Sequence, residues 1–254
     1  MQNPWKKNLL MIFSTPVLIL LLGTGVPVEF KDNPQSVIIR KCLSTISTAD
    51  NAHILIDGFY HEAPNNKVSF HFDGVIDFPG NMDGALKISG GKINREGHVI
   101  LLDGKTFFQN SGNDKWKRLE TNNLNEYEQQ PLFMCMNLLL TLTYYPDLLK
   151  NKLHHSDQIL NEVKTDYFKF DIDLAKLRTT ASKPDQIEKL QYFSEDLTGT
   201  KATAEIWIEK GTKYLLKFAV DIDGWGKSKK PLSGSIILSD YNSSVTISSP
   251  KQFE

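Results

Sequence analysis

Few side chains in this 254-residue chain are grouped in ways that do chemistry. His154 and His155 form the one adjacent histidine pair. Neighbouring residues on a strand point to opposite faces, so the pair chelates poorly and reads as a solvated turn. Asp171-x-Asp173 and Asp221-x-Asp223 each put two carboxylates on one side of a strand. Calcium needs six or more converging oxygens, so a solvated outer face outweighs a weak calcium site. Cys42 and Cys135 fall in separate apolar helical runs. In an oxidising compartment they could pair as a disulfide, although buried free thiols are common. No CxxC or Cys/His cluster, nucleophile elbow, HExxH, P-loop or dinucleotide fingerprint occurs. The reading assigns no catalytic residue, metal site or cofactor. A net charge of −1 argues against a basic nucleic-acid binder.

The elements that would position any site follow a period of two. In residues 201–223, Ala202, Ala204, Ile206 and Ile208 share one face while Thr203, Glu205, Trp207 and Glu209 share the other. After a tight turn at 209–212, Leu216, Phe218, Val220 and Ile222 face one way, and Leu215, Lys217, Ala219 and Asp221 the other. This is the signature of an antiparallel hairpin with one covered face, and it puts Trp207 on the outer surface. Similar runs lie at 53–60, 67–78, 82–89, 99–102, 106–109, 157–163, 165–174, 232–238 and 245–247. Gly90-Gly91 and Asp103-Gly104 are turn signals between them. The basic run at 227–230, before Pro231, reads as an exposed loop between strands rather than a headgroup contact.

Three stretches are helical. Residues 34–48 start at Pro34 and carry a stripe of Val37, Ile38, Cys42, Leu43 and Ile46. Residues 132–145 are apolar nearly all round, and 183–193 show a short helical pattern. With no break in the pattern, residues 27–254 form a single domain. The fold class is α+β, mainly β: about ten or eleven antiparallel strands and two or three helices. The sheet's apolar face is too wide for those helices to cover. A strongly curved half-barrel, with the helices across its concave face and an apolar cavity beneath, solves the geometry.

Lys6 and Lys7 precede an apolar stretch at 9–22, which reads as an export signal or membrane anchor ending near residue 26. Leu20-Leu21-Leu22-Gly23-Thr24-Gly25 has the form of a lipoprotein box with Thr24 where the lipid-bearing cysteine would stand.

This near-lipobox, the helix and hairpins after it, and the segments DGKTFFQNSGNDKWKRL (103–119) and TAEIWIEKGTKYLLKFAVDI (203–222) come in a familiar order. Together they resemble the LppX/LprG-type envelope lipoproteins, within the broader lipoprotein-carrier (LolA/LolB-like) fold, over residues 34–250. The resemblance implies a half-barrel with a hydrophobic cavity for the acyl chains of a lipid, glycolipid or lipoprotein. Thr24 departs from the pattern and leaves no cysteine to lipidate.

Phe70, Phe72, Leu86, Ile88, Phe168, Phe170, Ile206 and Phe218 are the candidate cavity wall, with Phe133, Leu138, Leu139 and Leu142 of the apolar helix. The alternative is that they are plain core. The function this supports is an exported, non-enzymatic lipid carrier of the bacterial cell envelope, periplasmic or on the outer face of the plasma membrane. Its partners would be a lipid or acylated ligand and a membrane surface, reached through an anchor at residues 8–24. An envelope sensor module that binds a protein partner is the alternative. A hydrolase would need a titratable cluster inside the cavity, where the alternation places few such groups.

Overall fold

The computed structural model describes residues 34–63, 66–78, 80–91, 93–103, 105–113, 115–119, 153–173, 200–225 and 230–250. The chain enters at α1, Pro34–Thr48, which buries Ile39, Cys42 and Ile46 on one stripe. Spacings of three and four place these residues on one helical face. The helix ends where Ala49 N donates to the Ile46 carbonyl.

Among the described residues eleven strands follow: β1 (Asn51–Ala63), β2 (Asn66–Asp77), β3 (Met82–Gly90), β4 (Ile93–Leu102), β5 (Lys105–Asn110), β6 (Lys117–Leu119), β7 (His154–Leu160), β8 (Val163–Asp171), β9 (Lys201–Glu209), β10 (Leu215–Trp225) and β11 (Lys230–Ser239). They form one antiparallel sheet in the order β6-β5-β4-β3-β2-β1-β11-β10-β9-β8-β7. Sequential hairpins therefore run outward in both directions from a central pair, and that pair is the first and the last strand. Among the described residues β6 and β7 are edges, so the sheet is open.

Tight turns between the strands rest on residues in the left-handed region. Asn161 and Glu162, both left-handed (φ 48 and 68), join Leu160 to its partner Val163 in a two-residue turn. Gly90 takes φ 130, where a Cβ would meet the Lys67 carbonyl oxygen at 2.0 Å, so only glycine fits.

Several boundaries differ from the sequence reading. The β7–β8 turn falls before Val163, which places His154 and His155 inside a strand rather than in a solvated turn. The β9–β10 register shifts between Leu215 and Lys217. That irregularity turns Leu215, expected on the polar face, into the core, where it is 1% exposed. Residues 245–247, expected as a last strand, are not one. β1 already lies between β2 and β11, and β11 between β1 and β10, so no ladder position is open beside them. The chain instead turns at Asn242, whose N donates to the Asn51 carbonyl, and Asn51 Nδ2 donates to the Ser243 carbonyl.

Candidate functional site

Strand register aligns the apolar residues into rows across the covered face. One row runs Leu86, Phe72, Ile56, Ile236, Phe218, Ile206, Phe168 and ends at His155, crossing eight strands from β3 to β7. The next runs Ile88, Phe70, Gly58, Gly234, Val220, Ala204 and Phe170. Bulky side chains fill the first row, and small residues occupy the middle of the second. Gly58 is small for a reason: a Cβ there would stand 2.2 Å from Phe70 Cζ and 2.6 Å from the Ser233 carbonyl oxygen. The Phe70 ring lies over it. Apart from His155 and the two glycines, these residues belong to or pack on one hydrophobic cluster that also takes in Ile39, Cys42 and Ile46 of α1.

The first row ends in charge. The His155 ring stacks on Phe168 at 4.6 Å, and its Nε2 lies 3.3 Å from Asp166 Oδ1. Asp166, only 5% exposed, also accepts a hydrogen bond from Lys213 Nζ at 3.0 Å, and Lys210 Nζ stands 3.9 Å away. Lys210 pairs with Asp157 at 2.6 Å. Burial pushes the Asp166 carboxyl up, but the hydrogen bonds from Lys213 and His155 and the two lysine charges outweigh it and hold the group below the usual carboxylate range. The Asp157 hydrogen bond raises Lys210. His155, Asp157 and Asp166 bring one ligand atom each within 4.8 Å of one another, a spacing a metal ion would tolerate. Both carboxylates are already bonded by lysine ammonium groups that a cation would have to displace, so the arrangement works as an ion-pair network.

A second polar-aromatic assembly locks the other side of the β9–β10 turn. Tyr214 and Tyr241 stack at 4.1 Å, Phe78 stacks on Tyr241 at 6.5 Å, and Tyr241 Oη donates to the Leu215 carbonyl at 2.6 Å. Burial pushes the Tyr241 hydroxyl and the Cys42 thiol well above their ordinary values.

No family model and no curated protein sequence matches the chain. Among solved structures, LprF from Mycobacterium bovis matches with a TM-score of 0.51 at 12% identity, over 86% of this chain and 98% of that one. The chain has the LppX/LprG-type fold. Looser matches are the LolA superfamily protein NE2245 from Nitrosomonas europaea (TM-score 0.31, 9% identity, 81% of this chain and 91% of that one) and the Pseudomonas aeruginosa MucA/MucB complex (TM-score 0.34, 11% identity, 83% of this chain and 57% of that one).

On this LppX/LprG-type sheet, Phe70, Phe72, Leu86, Ile88, Phe168, Phe170, Ile206 and Phe218 lie in two adjacent rows on one face. Seven are buried and Leu86 is partly buried against them. Phe133, Leu138, Leu139 and Leu142 lie outside the described residues, as do the helical patterns at 132–145 and 183–193, residues 1–26 and the lysines of the 227–229 run. Cys42 is a buried free thiol, and Cys135 lies outside the described residues. Among the described residues no helix is long and apolar enough to cross a membrane. Asp171, Asp221 and Asp223 are exposed, and Thr203 Oγ1 donates to Asp171.

Trp207 is on the outer face as expected but only 9% exposed. Tyr167 packs at 5.0 Å, Lys217 Nζ sits 4.9 Å from its ring centroid, and its Nε1 donates to Gln158 Oε1. The sequence reading missed the Asp166 network. Its signal was available: Asp166 shares the parity of Phe168 and Phe170, which makes it a charge on an apolar face.

Proposed function

We propose that the chain is an exported, non-enzymatic lipid carrier of the bacterial cell envelope. Its open sheet is read as a strongly curved half-barrel, with two or three helices across the concave side and residues 1–26 as export signal or anchor. The observation that carries this reading is the apolar row across eight strands that ends at the charged His155–Asp166–Lys213 group, with a second row beside it over seven. A face that is apolar along its length and charged at one end suits an amphipathic ligand. Acyl chains would lie along Phe72, Ile236, Phe218 and Ile206, with the small residues Gly234 and Ala204 giving them room, and the apolar segment at 132–142 closing over them. Each buried methylene contributes about 0.8 kcal/mol, so a single acyl chain suffices for firm holding. Release then requires the covering segments to move.

The test is native mass spectrometry of the full chain purified without added lipid. A bound acylated molecule, lost on Phe218→Asp substitution in a chain that still folds, is the expected result. Repeated isolation without lipid overturns the reading. Isolation with a bound polypeptide in its place would favour the envelope sensor module.

A further inference from the structure

The outer face of the sheet carries a separate cleft of about 450 Å³. That volume is within the range of small-molecule sites, which run from roughly 300 to 1,000 Å³. Its origin lies in the register. Lys87 of β3 pairs with His71 of β2 and Glu96 of β4, forming one wall. One pleat along, Ala85 pairs with His98, and His98 with Gln109. Ala85 is the smallest side chain in that neighbourhood and becomes the floor. The loop after β5 supplies the rim: Ser111 N donates to the Glu96 carbonyl, and Asn113 lines the opening.

The polar groups around this floor are held in fixed roles. His71 Nδ1 lies 2.7 Å from Asp57 Oδ1. A carboxylate only accepts, so His71 Nδ1 carries a proton and donates it to Asp57. His98 Nε2 donates to Asp83 in the same way. Trp116 packs edge-on against His98 at 5.4 Å and steadies that ring. Lys87 Nζ and Glu96 Oε2, 3.3 Å apart, cancel each other's charge while keeping spare donor and acceptor capacity. Gln109 brings both a donor and an acceptor. Asn113 has its oxygen taken by Lys115 N and keeps its amide protons.

We propose that this cleft binds one polyhydroxylated unit, a hexose or the end of a disaccharide. A phosphate or carboxylate would meet the Glu96 carboxylate, with the Asp57 and Asp83 carboxylates behind the two imidazoles. An ammonium group can only donate, and would meet Lys87 and the amide protons of Asn113. A hydroxyl does both at one atom, and adjacent hydroxyls match the Lys87 ammonium, the Glu96 carboxylate and the Gln109 and Asn113 amides around the floor. The site is on the opposite face from the apolar rows, so it does not depend on lipid binding.

The experiment is a titration of the isotope-labelled full chain, followed through the imidazole and side-chain amide signals. The probes are methyl glucoside, methyl mannoside, maltose and N,N′-diacetylchitobiose, with inorganic phosphate and butylammonium as ionic comparators. Saturable shifts of His71, His98 and Gln109 with at least one sugar, half-complete below about 10 mM, are expected. Ala85→Leu fills the floor from the solvent side and is expected to remove that saturation while leaving the urea midpoint unchanged. Gln109→Ala, which does not fill the floor, should weaken it about fivefold. Saturation by phosphate or butylammonium alone overturns the proposal. So does a flat response to every sugar, or saturation that survives Ala85→Leu in a folded chain.

Discussion

Lys213, in the turn between β9 and β10, donates a 3.0 Å hydrogen bond to Asp166 on β8 and fixes a buried carboxylate as an anion. The carboxyl is held below its usual value, and the sign of its pH effect follows. A depressed folded-state value contributes stability that is present above the unfolded-state value, about 3.9, and is lost as pH falls through that point and below. The urea midpoint should therefore drop on acidification below about pH 4. Asp166→Asn should cost about 2 kcal/mol near neutrality, because Lys213 and Lys210 lose their buried partner. The gap between wild type and variant should narrow as acid protonates the wild-type carboxyl. A gap that stays constant down to pH 3 would exclude Asp166 as the group responsible.

Phe218 is fully buried at the centre of the long apolar row, between Ile236 and Ile206. Phe218→Ala should destabilise the chain by about 3–5 kcal/mol in urea unfolding, the range for a truncated core aromatic. A cost under about 1 kcal/mol would mean that the ring has no packed neighbours and that the row is not continuous.

What was legible in the sequence was parity. Alternation at Phe70, Phe72, Phe168, Phe170, Ile206 and Phe218 assigns each residue to a face, because the period of a strand is fixed by its backbone. The same parity put Trp207 outside. It could not show that Tyr167 and Lys217 cover the indole, since those contacts cross strands. Nor does alternation say which strands pair beyond adjacent hairpins. The β1–β11 ladder, matching Ile54 to Leu238 and Ile56 to Ile236, joins the two ends of the chain and leaves no local trace. The extra strand expected at 245–247 failed for that reason: its apolar residues fit a strand, but β1 and β11 had already used each other's edges. Leu215 was misassigned because a register shift reverses parity without any marking residue.

Thr106 is on the covered side of β5, opposite Leu101, and among the described residues its buried hydroxyl has no hydrogen-bond partner. An unsatisfied buried hydroxyl is a liability, and replacing it with a methyl of the same shape removes the desolvation cost. Thr106→Val should raise stability by about 1 kcal/mol, read as a higher urea midpoint with an unchanged slope. A lower midpoint would show that the hydroxyl has a partner in solution.

Tyr241 Oη donates to the Leu215 carbonyl where the β9–β10 ladder is interrupted. The bond gives that carbonyl a partner at the irregularity, and the ring is clamped between Tyr214 and Phe78. Tyr241→Phe keeps the stack and removes the bond, which should cost about 1 kcal/mol at neutral pH. Burial raises the hydroxyl's ionisation above the ordinary tyrosine value, so its contribution has an alkaline limit. With a raised folded-state value, stability is intact below the unfolded-state value of about 10 and falls as pH rises past it. Between pH 10 and 11.5 the wild type should lose stability faster than Tyr241→Phe, so the two urea midpoints converge. Parallel curves over that interval would place the ionising tyrosine elsewhere.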